Sequence, residues 1–297
     1  MAKILVAGLN PAWQRVLSLP SFLPGKVNRA QQSQSLASGK GLNAAKVLAR
    51  LGHDVSILQI LAGETGRHCL EACGAWKVRS LHVRTKGQTR ECITVLCEED
   101  RSATEIIEPF FVDDPELTSQ LLARIPADSK YDAILICGSV PRGIGEFIYA
   151  NILKRTRAKH VLWDSAMGLT PEALERISWI KVNAEEYAHL STIAGTLSPS
   201  VLITEGGKAA RVLNAGGANG IYGLPPLPRM RNPIGAGDTV TAVLADGLLG
   251  GLDKGAAVRR ALAFGMASCL TPLPAEYDPS DAASLELQIQ KEKGEPE

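Results

Sequence analysis

The residues with the clearest chemical potential are Gly235-Ala236-Gly237-Asp238, which precede an apolar run over residues 240–249. The two glycines allow backbone turns that a Cβ would obstruct. If the apolar run is a helix, its first N–H groups lack partners inside it, and the helix dipole adds positive charge there. Such a helix start favours anions, and Asp238 beside it could take a proton from a hydroxyl while the backbone holds a phosphoryl group. For this segment alone, a glycine-rich turn before a buried helix is an equally good interpretation.

Strand-like and helix-like patterns alternate through much of the chain, which favours an α/β fold with a mainly parallel sheet. The apolar strand candidates are Lys3–Ala7, 55–61, 133–137, 160–163, Trp179–Asn183 and 201–204. Helices are expected after Gly39, ending at Gly52, and over residues 145–156, 254–270 and the tail after 282. Polar residues follow most strands, namely Asn10, Ser139, Asp164, Asn183 and Thr204. Since ligands bind outside the carboxyl ends of strands in open α/β sheets, these residues should converge on one edge.

Between residues 78 and 110 the pattern changes to short, partly alternating runs at 81–84, 90–96 and 103–108. Runs of this kind, separated by turn residues, are typical of β-hairpins. We therefore expect one domain over residues 1–297, with a small β-sheet lid formed by about 11–35 and 78–110.

The charge balance argues against nucleic acid or a membrane surface as the main partner. Lys and Arg number 32 and Asp and Glu number 31, whereas proteins whose main partner is nucleic acid or a membrane surface usually have a basic excess. The six cysteines form no CxxC pair, which favours buried free thiols in a reducing cytoplasm over a zinc site. The N-terminus has the pattern of a strand and not of a signal peptide, and no apolar run could span a bilayer, so we predict a soluble, cytoplasmic protein.

Five motifs, in order, resemble the ribokinase-like (PfkB) carbohydrate kinases. They are Gly39-Lys40-Gly41-Leu42-Asn43, Gly138-Ser139-Val140-Pro141-Arg142-Gly143, Lys181-Val182-Asn183-Ala184-Glu185-Glu186, Thr204-Glu205-Gly206-Gly207 and Gly235-Ala236-Gly237-Asp238-Thr239. Leu9-Asn10-Pro11-Ala12, residues 23–29 and Thr89-Arg90 are similar to the hexose-phosphate branch, which includes 1-phosphofructokinases and tagatose-6-phosphate kinases. The resemblance implies a three-layer α/β/α domain with a mainly parallel sheet and a small β-sheet lid.

The resemblance also implies an ATP-dependent kinase in which Asp238 is the general base toward a sugar hydroxyl. The N–H groups of Gly235, Ala236 and Gly237 would hold the charge that develops on the transferred phosphoryl group. The implied nucleotide contacts are Lys181, Asn183, Glu186, Thr204 and Gly206. Asn183 and Glu186 would organise Mg²⁺ through its waters, because oxygen ligands suit that ion. By themselves, these two residues are also typical of a helix start with an acidic first turn.

On the substrate side, the resemblance implies that Gly39 and Asn43 line the sugar pocket, while Lys40 could face solvent. The candidates for gripping a phosphate on the substrate are Lys26, Arg29 and Arg90. Lone cations on a hairpin are also commonly solvated surface. Ser139 and, with less support, Arg142 would flank the same pocket.

Three positions depart from the family pattern. Gln14, after Trp13, stands where an aspartate commonly accepts hydrogen bonds from sugar hydroxyls, and an amide offers one acceptor oxygen and two donors. Arg231-Asn232-Pro233-Ile234 replaces an Asp-Thr pair that is associated with a monovalent cation site, so we do not predict potassium activation. Ser38 occupies a position where glycine is usual.

The favoured function is therefore phosphorylation of a ketohexose phosphate such as fructose 1-phosphate, fructose 6-phosphate or tagatose 6-phosphate. The alternatives are a kinase for an unphosphorylated sugar or nucleoside, and a degenerate sugar- or nucleotide-binding protein. A Rossmann dehydrogenase has little support, because Gly8-Leu9-Asn10-Pro11 and not GxGxxG follows the first strand. Family lids often pair between subunits, so a homodimer through the β lid is expected. The apolar alternation of Ile93, Val95, Ile106 and Phe110-Phe111 is compatible with that pairing and equally with packing onto the lid's own domain.

Overall fold

The computed structural model describes residues 1–193, 199–227 and 229–292. Its strands are β1 (Lys3–Ala7), β2 (Ala12–Leu19), β3 (Gln32–Ser38), β4 (Asp54–Ala62), β5 (Arg79–Thr85), β6 (Glu91–Cys97), β7 (Ala103–Ile107), β8 (Ser129–Cys137), β9 (Thr156–Asp164), β10 (Trp179–Asn183), β11 (Ser200–Thr204), β12 (Ala209–Leu213), β13 (Gly220–Gly223) and β14 (Gln290–Glu292). Its α-helices are α1 (Lys40–Arg50), α2 (Gly63–Ala75), α3 (Leu117–Ala123), α4 (Ile148–Lys154), α5 (Pro171–Leu174), α6 (Ala184–Ile193), α7 (Ala236–Leu249), α8 (Lys254–Ser268) and α9 (Pro279–Glu286).

The large sheet has the strand order β14-β13-β12-β11-β10-β9-β8-β1-β4-β5. All neighbours from β5 to β11 pair in parallel, and β12 to β14 extend the sheet in antiparallel fashion. The parallel part explains why β1 is a continuous apolar run, since strands of such sheets are buried on both faces. The carboxyl ends of β1, β8, β9, β10 and β11 consequently lie along one edge.

Helices cover both faces of the large sheet, which gives the three-layer architecture that the family resemblance implies. Successive residues of β1 pack into two different cores: Ile4 and Val6 join one, and Leu5 and Ala7 join the other. The first core includes Leu244 of α7 and the second includes Tyr149 of α4.

The small sheet, which we call the lid, has the strand order β3-β2-β6-β7. Strand β2 pairs in parallel with β6, and the other two pairings are antiparallel. The predicted lid boundaries were partly wrong, because β5, Arg79–Thr85, pairs in parallel with β4 at the edge of the large sheet. An edge strand is half exposed, so its alternating pattern resembles that of a hairpin strand.

Two further expectations differ from the structure. The helix expected over 145–156 is α4, Ile148–Lys154, because residues from Thr156 onward belong to β9. The tail after residue 282 is not wholly helical, because β14 follows α9 and pairs with β13 at the sheet edge.

The prediction of buried free thiols is confirmed for all six cysteines. Across the described ranges, no group of three or more His, Cys, Asp or Glu residues could hold a metal ion. None of the helices in these ranges combines the length and the apolar character needed to cross a bilayer.

Candidate active site

A cavity of about 630 Å³ opens at the carboxyl ends of the parallel strands, under the lid. The large domain contributes Gly39, Lys40, Asn43, Ser139, Lys181, Asn183, Glu186, Gly235, Gly237 and Asp238 to its lining, and the lid contributes Gln14, Cys92, Glu105 and Ile107. Of the polar strand-end residues that were predicted to converge, Asn10, Ser139 and Asn183 line this cavity. Thr204 lines a neighbouring cavity, and Asp164 lies behind the lining and contacts Lys40.

Asp238 lies in the first turn of α7 and is nearly buried, with 7% of its surface exposed. Its Oδ2 accepts a hydrogen bond of 2.7 Å from Nδ2 of Asn43 in the first turn of α1. The Ser38 hydroxyl lies 3.1 Å from Asn43 Oδ1 and donates to it, which orients the amide with its N–H toward Asp238. Ser38, one of the departures from the family pattern, thus helps to position the carboxylate.

The two glycines before Asp238 are each required for a different structural reason. Gly235 has φ of 80°, and a Cβ there would lie 2.8 Å from Ala275 N. A Cβ on Gly237 would lie 2.5 Å from Lys181 Nζ, so the ammonium group rests against the backbone of this turn. The N–H of Ala236 points back to Pro233 O at 3.3 Å, which leaves it less available to a ligand than we had expected.

Asp164, at the end of β9, links three side chains behind this turn. It accepts hydrogen bonds from Lys40 Nζ at 2.8 Å, Lys181 Nζ at 3.3 Å and Thr241 Oγ1 at 2.7 Å. Lys40 also contacts Glu186 Oε1 at 3.3 Å. The expectation that Lys40 faces solvent is wrong, because both carboxylates draw it into the cavity.

The two buried aspartates have opposite pKa shifts. Burial raises the pKa of Asp238, the negative charge of Asp164 raises it further, and Lys40, Asn43 and Lys181 only partly oppose this. Burial would also raise the pKa of Asp164, but Lys181, Lys40 and Thr241 outweigh it and hold that pKa below its ordinary value. Asp164 is therefore a fixed counter-charge, whereas Asp238 is a stronger base than an exposed aspartate.

Beside α7, a second cavity of about 290 Å³ shares Asn183, Pro233 and Gly237 with the first. Thr204 and Gly206, two of the expected nucleotide contacts, line it. The remaining wall is mostly apolar and includes Leu224, Leu227, Met230, Val240, Leu262 and Met266. A flat aromatic group would fit such a wall better than a charged one.

Asn183 and Glu186 form a reciprocal capping box at the start of α6. The N–H of Glu186 donates to Asn183 Oδ1 at 2.8 Å, and the N–H of Asn183 donates to Glu186 Oε2 at 2.9 Å. Both residues line the main cavity, and carboxylate and amide oxygens retain lone pairs beyond one hydrogen bond. The pair can therefore serve the helix start and also face a hydrated cation.

On the lid side of the cavity, Arg90 is held by backbone oxygens at its base. It donates to Asn10 O at 3.1 Å and to Pro11 O at 3.4 Å. Gln14 is fixed by donating from Nε2 to Thr94 Oγ1 at 2.6 Å. Ser139 receives a hydrogen bond of 2.9 Å from Asn10 Nδ2.

Three predicted substrate-side cations do not reach this cavity within the single chain. Lys26 and Arg29 are exposed on the loop between β2 and β3. Arg142 is exposed as well, and its guanidinium lies over the Phe111 ring at 5.2 Å. Of the predicted phosphate-gripping residues, Arg90 is the one that lines the cavity.

Residues 1–280 match the model of the pfkB family of carbohydrate kinases. The chain belongs to this family. Over 292 residues it is 27% identical to a tagatose-6-phosphate kinase of Staphylococcus epidermidis, and the aligned region covers 90% of this chain and 92% of that protein. Over 285 residues it is 30% identical to a 1-phosphofructokinase of Rhodobacter capsulatus, which spans 89% of each chain.

The fold of this carbohydrate kinase is shared with solved structures. Escherichia coli phosphofructokinase-2 in complex with substrates and products superposes with a TM-score of 0.78 at 20% identity, covering 97% of this chain and 99% of that one. Thermotoga maritima ribokinase gives a TM-score of 0.72 at 17% identity, covering 97% and 100%. Both likenesses confirm the ribokinase-like fold.

Sequence reasoning assigned no site role to Asp164, Thr241 or Glu105 of this kinase. Asp164 was noted as a strand-end carboxylate, which was the available signal. Thr241 lies one turn after Gly237 in an apolar helix, and nothing nearby in the sequence marks it. Glu105 lies on an alternating lid strand, where its direction depends on the sheet register.

Proposed function

We propose that this enzyme transfers the γ-phosphoryl group of ATP to a hydroxyl of a ketohexose phosphate. The observation that carries the proposal is the placement of Asp238 and the Gly235–Gly237 turn in the same cavity as Arg90. Asp238 and the glycine turn are suited to phosphoryl transfer, and Arg90 is suited to bind an anionic group on the sugar that receives the phosphoryl group. The names of the relatives, tagatose-6-phosphate kinase and 1-phosphofructokinase, support the same substrate class.

In the proposed reaction, Asp238 takes the proton of the sugar hydroxyl as its oxygen attacks the γ-phosphorus. The bond between that phosphorus and the bridging oxygen breaks, and ADP leaves. The Gly235–Gly237 backbone and Lys181 stabilise the charge on the transferred group, because the Lys181 ammonium group lies beside Gly237 at the start of α7. Thr204 and Gly206 hold the nucleotide, with its base against the apolar wall of the second cavity.

Magnesium fits the oxygens of Asn183 and Glu186, which both line the main cavity, and Asn183 also lines the second cavity. These residues would hold it through its waters, and the bound ion would neutralise charge on the phosphates. Lys40, which contacts Glu186, keeps that carboxylate pointed into the cavity.

The sugar itself is assigned to Gly39, Asn43, Ser139, Gln14 and Glu105. Gln14 presents one amide oxygen in place of a carboxylate. Glu105 lies two lid strands away, opposite Thr94, to which Gln14 donates. Glu105 keeps an exposed side chain, yet partial desolvation of its carboxyl by the cavity and the charge of Asp238 raise its pKa, and Arg90 opposes this rise. We assign Glu105 as the hydrogen-bond acceptor for a sugar hydroxyl to which the single amide oxygen of Gln14 is not bonded.

An ADP-release assay tests the function directly. Fructose 1-phosphate, fructose 6-phosphate and tagatose 6-phosphate should be compared with fructose and with nucleosides as acceptors. A sugar phosphate should give the highest kcat/KM, and Asp238→Asn should lower kcat by about 10²- to 10⁴-fold while ATP binding persists. Turnover close to wild type in Asp238→Asn would refute the assignment of the base. ATP binding without ADP release from any acceptor would indicate a degenerate binding protein.

A kinase for an unphosphorylated sugar is the second candidate, because Lys26 and Arg29 lie outside the cavity. Arg90→Ala separates the two. If Arg90 holds a substrate phosphate, this change should raise KM for the acceptor about 10- to 100-fold, the cost of a charged hydrogen bond, with KM for ATP unchanged. Arg142→Ala, which removes an exposed arginine, is the matched control. An unaltered acceptor KM in Arg90→Ala would favour the unphosphorylated substrate.

A further inference from the structure

The family pattern associates a monovalent cation with the residues just before Gly235, and one structural neighbour, E. coli phosphofructokinase-2, is described in complex with potassium. In this chain the position is taken by Asn232, which is fully buried. Its Oδ1 accepts from the Ile234 N–H at 3.0 Å, and its Nδ2 donates to Pro272 O at 2.9 Å. Because one partner is a donor and the other an acceptor, the amide orientation is fixed. An N–H group therefore faces the carbonyl oxygen, and a cation does not fit there.

A second nitrogen donor holds the same loop, residues 272–276. Lys46 of α1 donates from Nζ to Pro274 O at 3.0 Å and to Glu276 Oε1 at 2.9 Å, and its side chain is only 10% exposed. Thr271 Oγ1 lies 3.0 Å from both Ser268 O and Leu273 O and 3.2 Å from Glu276 O, and its one proton can serve one of these three oxygens at a time. Carbonyl oxygens of this loop thus face hydrogen-bond donors supplied by the chain itself.

The 272–276 loop forms the wall behind the proposed anion hole. A Cβ on Gly235 would lie 2.8 Å from Ala275 N and 3.1 Å from Pro274 Cβ, so the loop and the glycine turn are in close contact. Lys46 follows Asn43 by three residues on α1, on the same side of the helix. One helix therefore carries both the amide that contacts Asp238 and the ammonium group that fixes the wall behind Gly235.

Lys46 is held in a charged and aromatic environment. Burial lowers its pKa, Glu276 opposes this shift, and the positive charge of Arg50 adds to it. The Trp76 ring lies beneath the ammonium group at 5.7 Å. Loss of these partners would leave a buried charge unpaired, at a large cost in stability, so they hold the ammonium group in one position.

We propose that Lys46, together with the Asn232 amide, takes the place of a monovalent cation behind the anion hole, so that phosphoryl transfer by this enzyme needs no added potassium. The role in turnover rests on the proposed function, because it assumes that the Gly235 turn binds the phosphoryl group. The replacement of the cation by protein nitrogens does not rest on it. Lys46 is accordingly a positioning residue that acts through the 272–276 loop.

The first test compares sodium, potassium and ammonium salts at constant ionic strength. Wild-type kcat should not depend on the cation, whereas Lys46→Met should lower kcat about 10- to 100-fold, with smaller effects on both KM values. Lys46→Arg should retain part of the activity, because it keeps the charge. Lys77→Met removes an exposed lysine from the same surface groove, which Lys46, Trp76 and Glu276 also line, and should change nothing. Activation of the wild type by potassium, or a normal kcat in Lys46→Met, would overturn the proposal.

The second test does not depend on activity and covers the case in which Lys46 variants fold poorly. Asn232→Asp places a carboxylate opposite Pro272 O, and the two oxygens repel each other unless a cation lies between them. Its thermal midpoint should rise with potassium relative to sodium, while that of the wild type should not respond. A potassium response in the wild type, or its absence in Asn232→Asp, would contradict the replacement even if the enzyme proved inactive on every sugar. Inactivity alone would contradict only the proposed function.

Discussion

Asp164 and Asp238 are both buried carboxylates at the same edge of the sheet, yet their charge environments differ. Asp164 has two lysines and a hydroxyl within hydrogen-bonding distance, whereas the direct side-chain contact of Asp238 is the neutral amide of Asn43. Burial of the carboxyl and, after it, the negative charge of Asp164 make ionisation of Asp238 unfavourable. A carboxylate suited to proton abstraction is therefore also a source of instability.

The effect of Asp238 on the stability of the protein should depend on pH. The pKa of Asp238 in the folded state is raised above the ordinary value of 3.8. Above the folded-state pKa, Asp238 is ionised in both states and its charge destabilises the fold; below 3.8, it is protonated in both states and that cost is absent. Asp238→Asn should thus raise the melting temperature by a few degrees at pH 8, and the gain should shrink as the pH falls. Thermal unfolding of both proteins over a series of pH values down from pH 8 measures this, and a gain that grows toward acid would contradict it.

At the scale of elements, the close contact between β1 and α1 sets where the sugar and the base meet. A Cβ on Gly41, in the first turn of α1, would lie 2.4 Å from the Cα of Gly8, which directly follows β1. No side chain fits between the two backbones. The helix start that carries Gly39 and Asn43 is consequently fixed against the edge of the sheet.

Gly41→Ala should therefore move α1 away from the sheet and lower the free energy of unfolding by about 1–3 kcal/mol, the usual cost of overpacking. Gly74→Ala is the matched control, because Gly74 is also helical but a Cβ there meets nothing within 4 Å. That change should be neutral or stabilise the protein by up to about 1 kcal/mol, because alanine favours the helix. Equal effects of the two substitutions in urea unfolding would argue against the contact.

The same elements show how far the sequence predicts the fold. The bounds of β1 and β10 were predicted correctly, because buried parallel strands are short, continuous apolar runs ending in polar residues. The sheet to which β5 belongs was not predicted correctly. Alternation of polar and apolar residues indicates that one face of a strand is exposed, but it does not indicate which strand lies beside it. The position of Lys40 was also missed, because its partner Asp164 lies 124 residues away in the chain. Motifs identify residues that contact a ligand, whereas counter-charges follow from tertiary packing.

For the whole molecule, the lid exposes apolar side chains that its role over the cavity does not explain. Ile106 on β7 is 52% exposed, and Val27, in the loop between β2 and β3, is 79% exposed. Along β7, Glu105 and Ile107 line the cavity, so alternation directs Ile106 to the opposite face. Apolar groups gathered on one exposed face commonly mark an interface between proteins.

We therefore expect two copies of the chain to associate through the outer face of the lid. Light scattering coupled to size exclusion should give twice the mass of one chain for the wild type. Ile106→Asp should give a single-chain mass, because a charge buried in an apolar interface is costly. The control, Leu252→Asp, changes an exposed leucine just before α8, outside the lid, and should remain dimeric. If the copies also steady each other's lids over the sugar, Ile106→Asp should raise KM for the acceptor more than KM for ATP. A wild type with the mass of one chain would rule out this arrangement.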